Sequence, residues 1–364
     1  MPPRAAALPL AIEPLLLTEL PSRSRVSIVI ASFNYGRFLG ECLDACLGQS
    51  RPPDEIVIVD DGSTDDTWEL LSGYMARHPQ VRGIRQLNAG VCAATNSAIA
   101  AATGDVLLLL DADDIPAKTR VEHVLAALRR PVEGRVAGWA HHPLQRFSKT
   151  HDDLGLTPHY HAPPEGWFGR QVLERAQSPV ATMTSGLAFR RELLEAIGPI
   201  AEDRSLSQDM QYWLAAALLS PVAWIAEPLG RYRAHDVSRS FGGMLSTLPK
   251  VQLMRRRVEL VDAWIHQLLE RQRPAAAPDW RVLDEQPAYN WLRFLEGWLA
   301  GSGRDFALLM KVLRHPHTRM APLQQRVYLY SSICLPQSWF TALSRLVFGA
   351  SPLKALVRRS LGRS

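Results

Sequence analysis

Residues 105–114 read DVLLLLDADD, and the fold turns on where that stretch sits. The apolar run is short and bounded by Gly104 on one side and acids on the other. That pattern fits a strand buried on both faces, as the central strands of parallel sheets are. The acids follow at once. Asp111, Asp113 and Asp114 stand close together, where like charges repel, and Pro116 comes after them. Such a cluster at the open end of a buried strand calls for a cation or a polar ligand to collect it.

The flanking sequence repeats the theme. RVSIVIASFN (25–34) is a β-branched run ending in small and polar residues, and GRFLGECLDACLGQS (36–50) has apolar residues at helical spacing. EIVIVDDGSTDDT (55–67) is a second buried strand ending in acids, and TWELLSGYMARHP (67–79) a helix. VRGIRQ (81–86) is a weak strand, AGVCAATNSAIAAATG (89–104) an Ala-rich helix closed by Gly104, and KTRVEHVLAALRR (118–130) the next helix. Alternating strands and helices predict a mostly parallel, Rossmann-like sheet flanked by helices on both faces. Ligands in such sheets sit outside the carboxyl ends of the strands. Three ends carry polar signals, Ala31-Ser32-Phe33-Asn34, Asp60-Asp61-Gly62-Ser63 and Asp111-Ala112-Asp113-Asp114, and all should lie on one rim.

The next hundred residues are less regular. GRVAGWAHHPLQRF (134–147) reads as a strand and HDDLGLTPHYHAPPEGW (151–167) as a Pro- and His-rich loop. SPVATMTSGLAFRRELLEAIG (178–198) reads as strand then helix, with Gly198 as C-cap. LSQDMQYWLAAALL (206–219) is a helix with Ser207 as N-cap, and PLGRYRAHDVSRS (228–240) a strand running into a basic loop. Beyond about 245 the pattern is helical.

Composition narrows the class. With 364 residues, 47% hydrophobic and 21% charged, the chain is too apolar for disorder and long enough for a large core. The excess of +5 is modest, but the tail from Arg345 onward holds Arg345, Lys354, Arg358, Arg359 and Arg363 with no acid, which suits a solvated end or an anionic membrane surface. Four scattered cysteines make no disulfide framework; Cys42 and Cys46 are expected as buried thiols. Glu13 and several prolines interrupt the apolar N-terminus, and Pro221 breaks WLAAALLSPVAWIA (213–226). A cytoplasmic chain without a membrane-spanning helix is expected, peripheral at most at the inner face of a membrane.

The acids suggest chemistry. A hard cation such as Mg²⁺ takes oxygen ligands, usually one or two carboxylates plus phosphate oxygens and water. Asp111 and Asp113 alternate along the strand and can face the same way. Alone a DxD says little; behind four leucines it is fixed at the mouth of a buried strand. Asp65 and Asp66 suit a helix N-terminus, whereas Asp60 and Asp61 come too early for that. The histidines His141, His142, His151, His159 and His161 match no tight zinc spacing.

Taken in order, VSIVIASFNYGRFLGECLDACLGQS, EIVIVDDGSTDDT and LNAGVCAATNSAIAAATGDVLLLLDADD resemble the family-2 glycosyltransferases of the GT-A fold. The likeness covers about residues 25–120 and continues more loosely to 240 through TSGLAFRRELLEAIGPI, SQDMQYWLAAALL and YRAHDVSRS. It implies a leader over 1–24, expected to be poorly ordered; a GT-A domain over 25–240, nucleotide-binding to 120 and acceptor-side beyond; and a helical C-terminal extension over 241–364. The implied activity is inverting, metal-dependent transfer of a sugar from a nucleotide-diphospho-sugar to a hydroxyl, in bacterial-type surface glycan synthesis, with Mg²⁺ or Mn²⁺. The partners implied are the donor and a glycan or lipid-linked acceptor, not nucleic acid.

Residue by residue, the resemblance puts Ala31, Ser32, Asn34, Asp60, Asp61 and Asn88 around the nucleotide and Asp111 near its ribose. Asp113 matches the metal-binding acid, with Asp114 supporting it. Asp209 takes the place of the general base, and Arg233 and His235, flanked by Ser238 and Arg239, lie in a loop over the diphosphate. Two positions depart from the family pattern. Thr95 stands where an Arg is common, and Gln208 where a Glu usually precedes the base. Two other readings compete: a haloacid-dehalogenase-like phosphohydrolase using Asp111 and Asp113, and a nucleotide-sugar-binding protein without catalysis.

Overall fold

The structure is a computed structural model that describes residues 12–158, 160, 162–175, 178–234, 247–274, 283, 286–314, 329–332, 334–340 and 342. The first part alternates as the sequence predicts: β1 (Val26–Ser32), α1 (Gly36–Leu47), β2 (Glu55–Asp60), α2 (Thr67–Arg77), β3 (Val81–Arg85), α3 (Val91–Ala101) and β4 (Val106–Asp111). A short β5 (Ile115–Pro116) and α4 (Arg120–Arg129) follow, then the small hairpin β6 (Pro131–Val132) and β7 (Arg135–Val136). Next come β8 (Trp139–His141), β9 (Leu144–Phe147), β10 (Leu156–Thr157) and α5 (Gly169–Arg175). A 3₁₀ turn over Thr184–Gly186 leads into β11 (Leu187–Arg190), α6 (Arg191–Ile197), α7 (Gln208–Leu219), β12 (Val222–Trp224) and β13 (Gly230–Arg233). The helices α8 (Leu248–Gln272), α9 (Pro287–Leu299) and α10 (Phe306–Arg314) come next.

Seven strands form the main sheet in the order β12-β8-β11-β4-β1-β2-β3. Strands β4, β1, β2 and β3 run parallel, and β11 is antiparallel to both its neighbours. The quoted leucines sit in the middle of this sheet, with Leu107 to Leu110 all at most 2% exposed. Burying each contributes roughly 2 kcal/mol, which is why this strand takes the centre. The register aligns the polar ends: Ala31 lies opposite Asp111, Ser32 opposite Asp60, and Asp60 opposite Arg85. One rim therefore carries the first residues of all the polar loops.

The segment 134–147, expected as one strand, is three pieces serving different sheets. β8 joins the main sheet, and β9 joins a second sheet of order β10-β9-β13-β5. Pro143 lies between them and has no N–H to carry a ladder through. Ser207 occupies the N-cap position of α7 without a side-chain cap; its hydroxyl donates to Asp209 instead. Gly198 ends α6 at φ 71°, as the sequence suggests. Ahead of β1, residues 12–24 are anchored: Ile12 is fully buried and the Leu15 amide donates to the Leu219 carbonyl at 2.7 Å.

The chain divides into two compact units, Met1–Asp236 with Trp264–Trp280, and Val237–Ala263 with Arg281–Ser364. In the first, the last turns of α8 cover the end of α6. Arg271 and Gln272 donate to the Ile197 and Ala196 carbonyls, and the Trp264 indole to the Pro199 carbonyl. These carbonyls lie at or just past the helix end, where no intrahelical partner is available. In the second, Val251, Leu292, Leu295, Trp298, Leu309 and Phe340 make an apolar cluster. Arg255 there pairs with Glu259 and Glu296. None of the described helices is long and apolar enough to cross a membrane.

Candidate active site

The loop after β1 is laced to the loop after β2. Asn34, at φ 58°, accepts the Thr64 amide on its side-chain oxygen at 2.8 Å, and its own amide donates to Ser63 Oγ at 2.9 Å. A left-handed backbone favours Asn among non-glycine residues, so Asn34 here shapes the turn. Asp65 ties the helix starts: one oxygen accepts the Thr67 amide, the other the Gly36 amide. Asp66 marks the N-cap position of α2 without a side-chain cap bond.

Asp60 and Asp61 are both buried at the rim. Asp60 Oδ1 accepts the Ser63 amide, and Oδ2 lies 3.3 Å from Arg85 Nε. Neither Asp60 Oδ2 nor the buried Ser32 hydroxyl beside it has a hydrogen bond. Unsatisfied buried acceptors and hydroxyls at a strand end are costly unless something polar binds there. Asp61 is engaged differently. Its carboxylate accepts Gln86 Nε2, the Ala89 amide and the Gly90 amide, each at 2.8 Å, and so holds the loop between β3 and α3. Asn88 joins this arrangement by donating to the Asp61 carbonyl, and Arg204 donates to the Asn88 carbonyl. Ala31 is half-buried opposite Asp111.

The acids after β4 meet others from the second half. Asp114 accepts the Ser185 hydroxyl at 2.6 Å and the Arg233 amide at 2.9 Å. Burial and the neighbouring Asp113 push its carboxyl up to about 7. Burial, then Asp114, Asp113 and Asp209, push Asp111 well above the usual carboxylate range. Burial also raises Asp209. Asp209 opens α7 next to Gln208, whose amide reaches Asp111 Oδ1 at 3.2 Å. Both hydrogen bonds to Asp209, from the Ser207 hydroxyl and the Met210 amide, fall on Oδ1. Asp209 Oδ2 accepts none among the described residues.

Four carboxylates thus crowd one rim, and burial, the largest cause in each case, raises Asp111, Asp114 and Asp209. The donor set is hard oxygen throughout, which suits Mg²⁺ or Mn²⁺. Among the described residues no three His, Cys, Asp or Glu side chains converge as a metal cage. A cation held by one or two of these acids and completed by phosphate oxygens fits that arrangement.

Arg233 is anchored within the protein. Its guanidinium donates to the Asp113 carbonyl, pairs with Glu41, and stacks between Phe38 and Phe147 at 4.8 and 4.5 Å. It holds the Asp113 backbone in place. His235, Ser238 and Arg239 lie outside the described residues, as do His159 and His161. His141 and His142 are fully buried, bonded to Pro164 and to Pro143 and Arg120, and burial lowers both.

Several contributors carried no sequence signal. Ser185 donates to Asp114 and also accepts the Asp111 amide at 3.0 Å. Arg120, 1% exposed, donates to the Leu109 and Leu187 carbonyls beneath the acids and ties β4 to β11. Only the TSG triplet at 184–186 hinted at Ser185, and only within the longer resemblance.

A parallel sheet with an acidic rim built this way is the GT-A kind of glycosyltransferase fold. Residues 27–198 match the model described as Glycosyl transferase family 2, so the chain carries a family-2 glycosyltransferase domain. It is 28% identical over 251 residues to "Uncharacterized glycosyltransferase alr2836" of Nostoc sp., covering 68% of this chain and 76% of that one. It is 38% identical over 105 residues to chondroitin synthase of Escherichia coli, covering 29% of this chain but only 15% of the synthase. Among solved structures, Staphylococcus aureus TarS 1-349 in complex with UDP-GlcNAc superposes with a TM-score of 0.53 at 15% identity, covering 88% of this chain and 90% of that one. The family match and the placement of Asp111 on the fourth strand leave the phosphohydrolase reading without support.

Proposed function

We propose that the enzyme transfers a sugar, with inversion, from a nucleotide-diphospho-sugar to a hydroxyl acceptor in surface glycan synthesis, using a divalent cation. The observation that carries this reading is Asp209: Oδ1 is anchored by two donors, Oδ2 is left without one, and burial raises the group. That is the arrangement of a general base, whose best pKa lies near the working pH.

In this reading the nucleotide lies over the ends of β1 and β2. Ser32 meets it with its unpartnered hydroxyl and Asp60 with the oxygen that pairs with Arg85, and Ala31, Asn34, Asp61 and Asn88 shape the wall. Asp111 faces the ribose and Asp113 holds the cation, with Asp114 bracing the loop. The cation would offset charge on the diphosphate. Asp209 takes the proton from the acceptor hydroxyl as that oxygen bonds to the anomeric carbon. The bond from that carbon to the diphosphate breaks on the opposite face, and the nucleoside diphosphate leaves with the electron pair. The relatives' names agree with this chemistry: one makes chondroitin, and the superposed structure holds UDP-GlcNAc.

The deciding experiment is a thermal-shift screen of UDP-, GDP- and dTDP-sugars with and without Mn²⁺. A donor present at 100 times its Kd is expected to stabilise the protein by about 2.7 kcal/mol. No shift with any of them sinks the proposal. A shift without transfer or hydrolysis would favour the non-catalytic reading.

Charge distribution supports peripheral membrane contact. The second unit carries 17 Lys and Arg against 6 Asp and Glu, a net of +11; the first carries 24 against 30, a net of −6. On α10, Phe306 and Met310 are exposed on the same face as Arg314, and Trp339 is 69% exposed. Apolar and cationic groups together on an exposed face suit an anionic bilayer surface. The full chain is expected to co-sediment with vesicles containing anionic lipid and to be released by salt. Equal recovery with neutral vesicles would count against it.

A further inference from the structure

Gln208 stands where α3, β4 and the 3₁₀ turn come together. Its side-chain oxygen accepts the Thr95 hydroxyl from α3. Its nitrogen donates to Asp111 Oδ1 at 3.2 Å and to Thr184 Oγ1 at 3.1 Å. Gln208 is 5% exposed and Thr95 is 4% exposed, so these bonds are made away from water. The amide thus spans the two elements, its nitrogen on Asp111 and its oxygen on Thr95.

We propose that Gln208 is a positioning residue, which holds the Asp111 carboxylate in place for the donor's ribose through a network that must stay neutral. The inference rests on the reading above, in which Asp111 meets the ribose. Neutrality matters because a carboxylate at 208 would set an oxygen where the nitrogen now stands, against Asp111. Asp113, Asp114 and Asp209 already crowd that acid. The residue on the other side, Thr95, brings no cation to offset a further charge. Gln208 and Thr95 are thus neutral partners that bond each other beside Asp111.

The test uses the full-length protein and three probes, UDP and GDP with Mn²⁺, and pyrophosphate with Mn²⁺ as a control without ribose. Calorimetry gives the affinities and a melting curve of the unliganded protein reports folding. Gln208→Met keeps the shape and removes the N–H donors. It is expected to weaken UDP or GDP binding at least about tenfold, as loss of a hydrogen bond to a charged group does, and to leave pyrophosphate unchanged. Gln208→Glu is expected to weaken the nucleotides at least as much. Adding Thr95→Arg to Gln208→Glu should recover roughly threefold or more, the coupling expected of residues in contact.

Nucleotide affinity within twofold of wild type in Gln208→Met overturns the positioning role. An equal loss on pyrophosphate does so too, because it means a general structural effect. No recovery in the double variant overturns the neutrality argument. Failure of the underlying reading looks different: wild-type protein binding neither UDP, GDP nor any donor sugar, which would take this inference with it.

Discussion

Asp209→Asn is expected to slow sugar transfer by about 10²–10⁴-fold, the usual contribution of a general base, with donor affinity close to unchanged. The substitution is conservative in the relevant way. Oδ1 stays an acceptor for the Ser207 hydroxyl and the Met210 amide, so the start of α7 keeps its bonds. Only Oδ2 changes, from an oxygen that can take a proton to an amide that cannot. The pH profile adds a second readout. Burial raises the group, and the active form of a base is the charged one, populated above its pKa. Turnover should therefore fall as pH drops through that raised value, and the Asn variant should lose this dependence. Steady-state kinetics with the donor found by thermal shift would measure both. Near-normal turnover in the variant would place the base elsewhere.

The second large effect is expected at Asp113. Asp113→Ala should remove the Mn²⁺-dependent part of nucleotide affinity, by about a hundredfold or more. Outer partners of a metal ligand are typically worth 10–100-fold, and a direct ligand should exceed them. The loop itself should survive. Arg233 holds it through the Asp113 carbonyl, and Ser185 and the Arg233 amide hold Asp114; none of these bonds uses the Asp113 carboxylate. Calorimetry with Mn²⁺ and with a chelator separates the metal-dependent part. If the variant and the wild type respond equally to the chelator, Asp113 is not the ligand.

The central sheet was legible because β1, β2 and β4 are buried along nearly their whole length and so appear as nearly unbroken apolar runs. The parallel sense of β1 to β4 followed from the alternation of strands and helices, whereas their order is read only from the structure. The second half was harder to read. β8 and β9 are short, and the step between sheets at Pro143 leaves only a local break in the pattern. Among rim residues, the acids were conspicuous because charge after leucine is conspicuous. Ser185, Arg120 and Arg204 were not, since a serine or arginine acquires its partner only in three dimensions. Arg233 looked like a ligand-binding cation, yet its side chain is only 11% exposed and stacks between Phe38 and Phe147. Whether an arginine meets solvent depends on aromatic neighbours far away in sequence, and no local pattern records that.

The last turns of α8 have a consequence for how such chains can be shuffled. Ile265, Leu268 and Leu269 are fully buried within the catalytic unit, and Arg271 and Gln272 serve the carbonyls at the end of α6. The catalytic unit is therefore not a contiguous cassette. A recombination event that joined a new C-terminus just after β13 would deliver the strands and the acidic rim without the helix that seals α6. Exchange of the basic extension between relatives should succeed at a junction after α8, where the recipient keeps its own seal, and should fail at the one the linear motif pattern suggests.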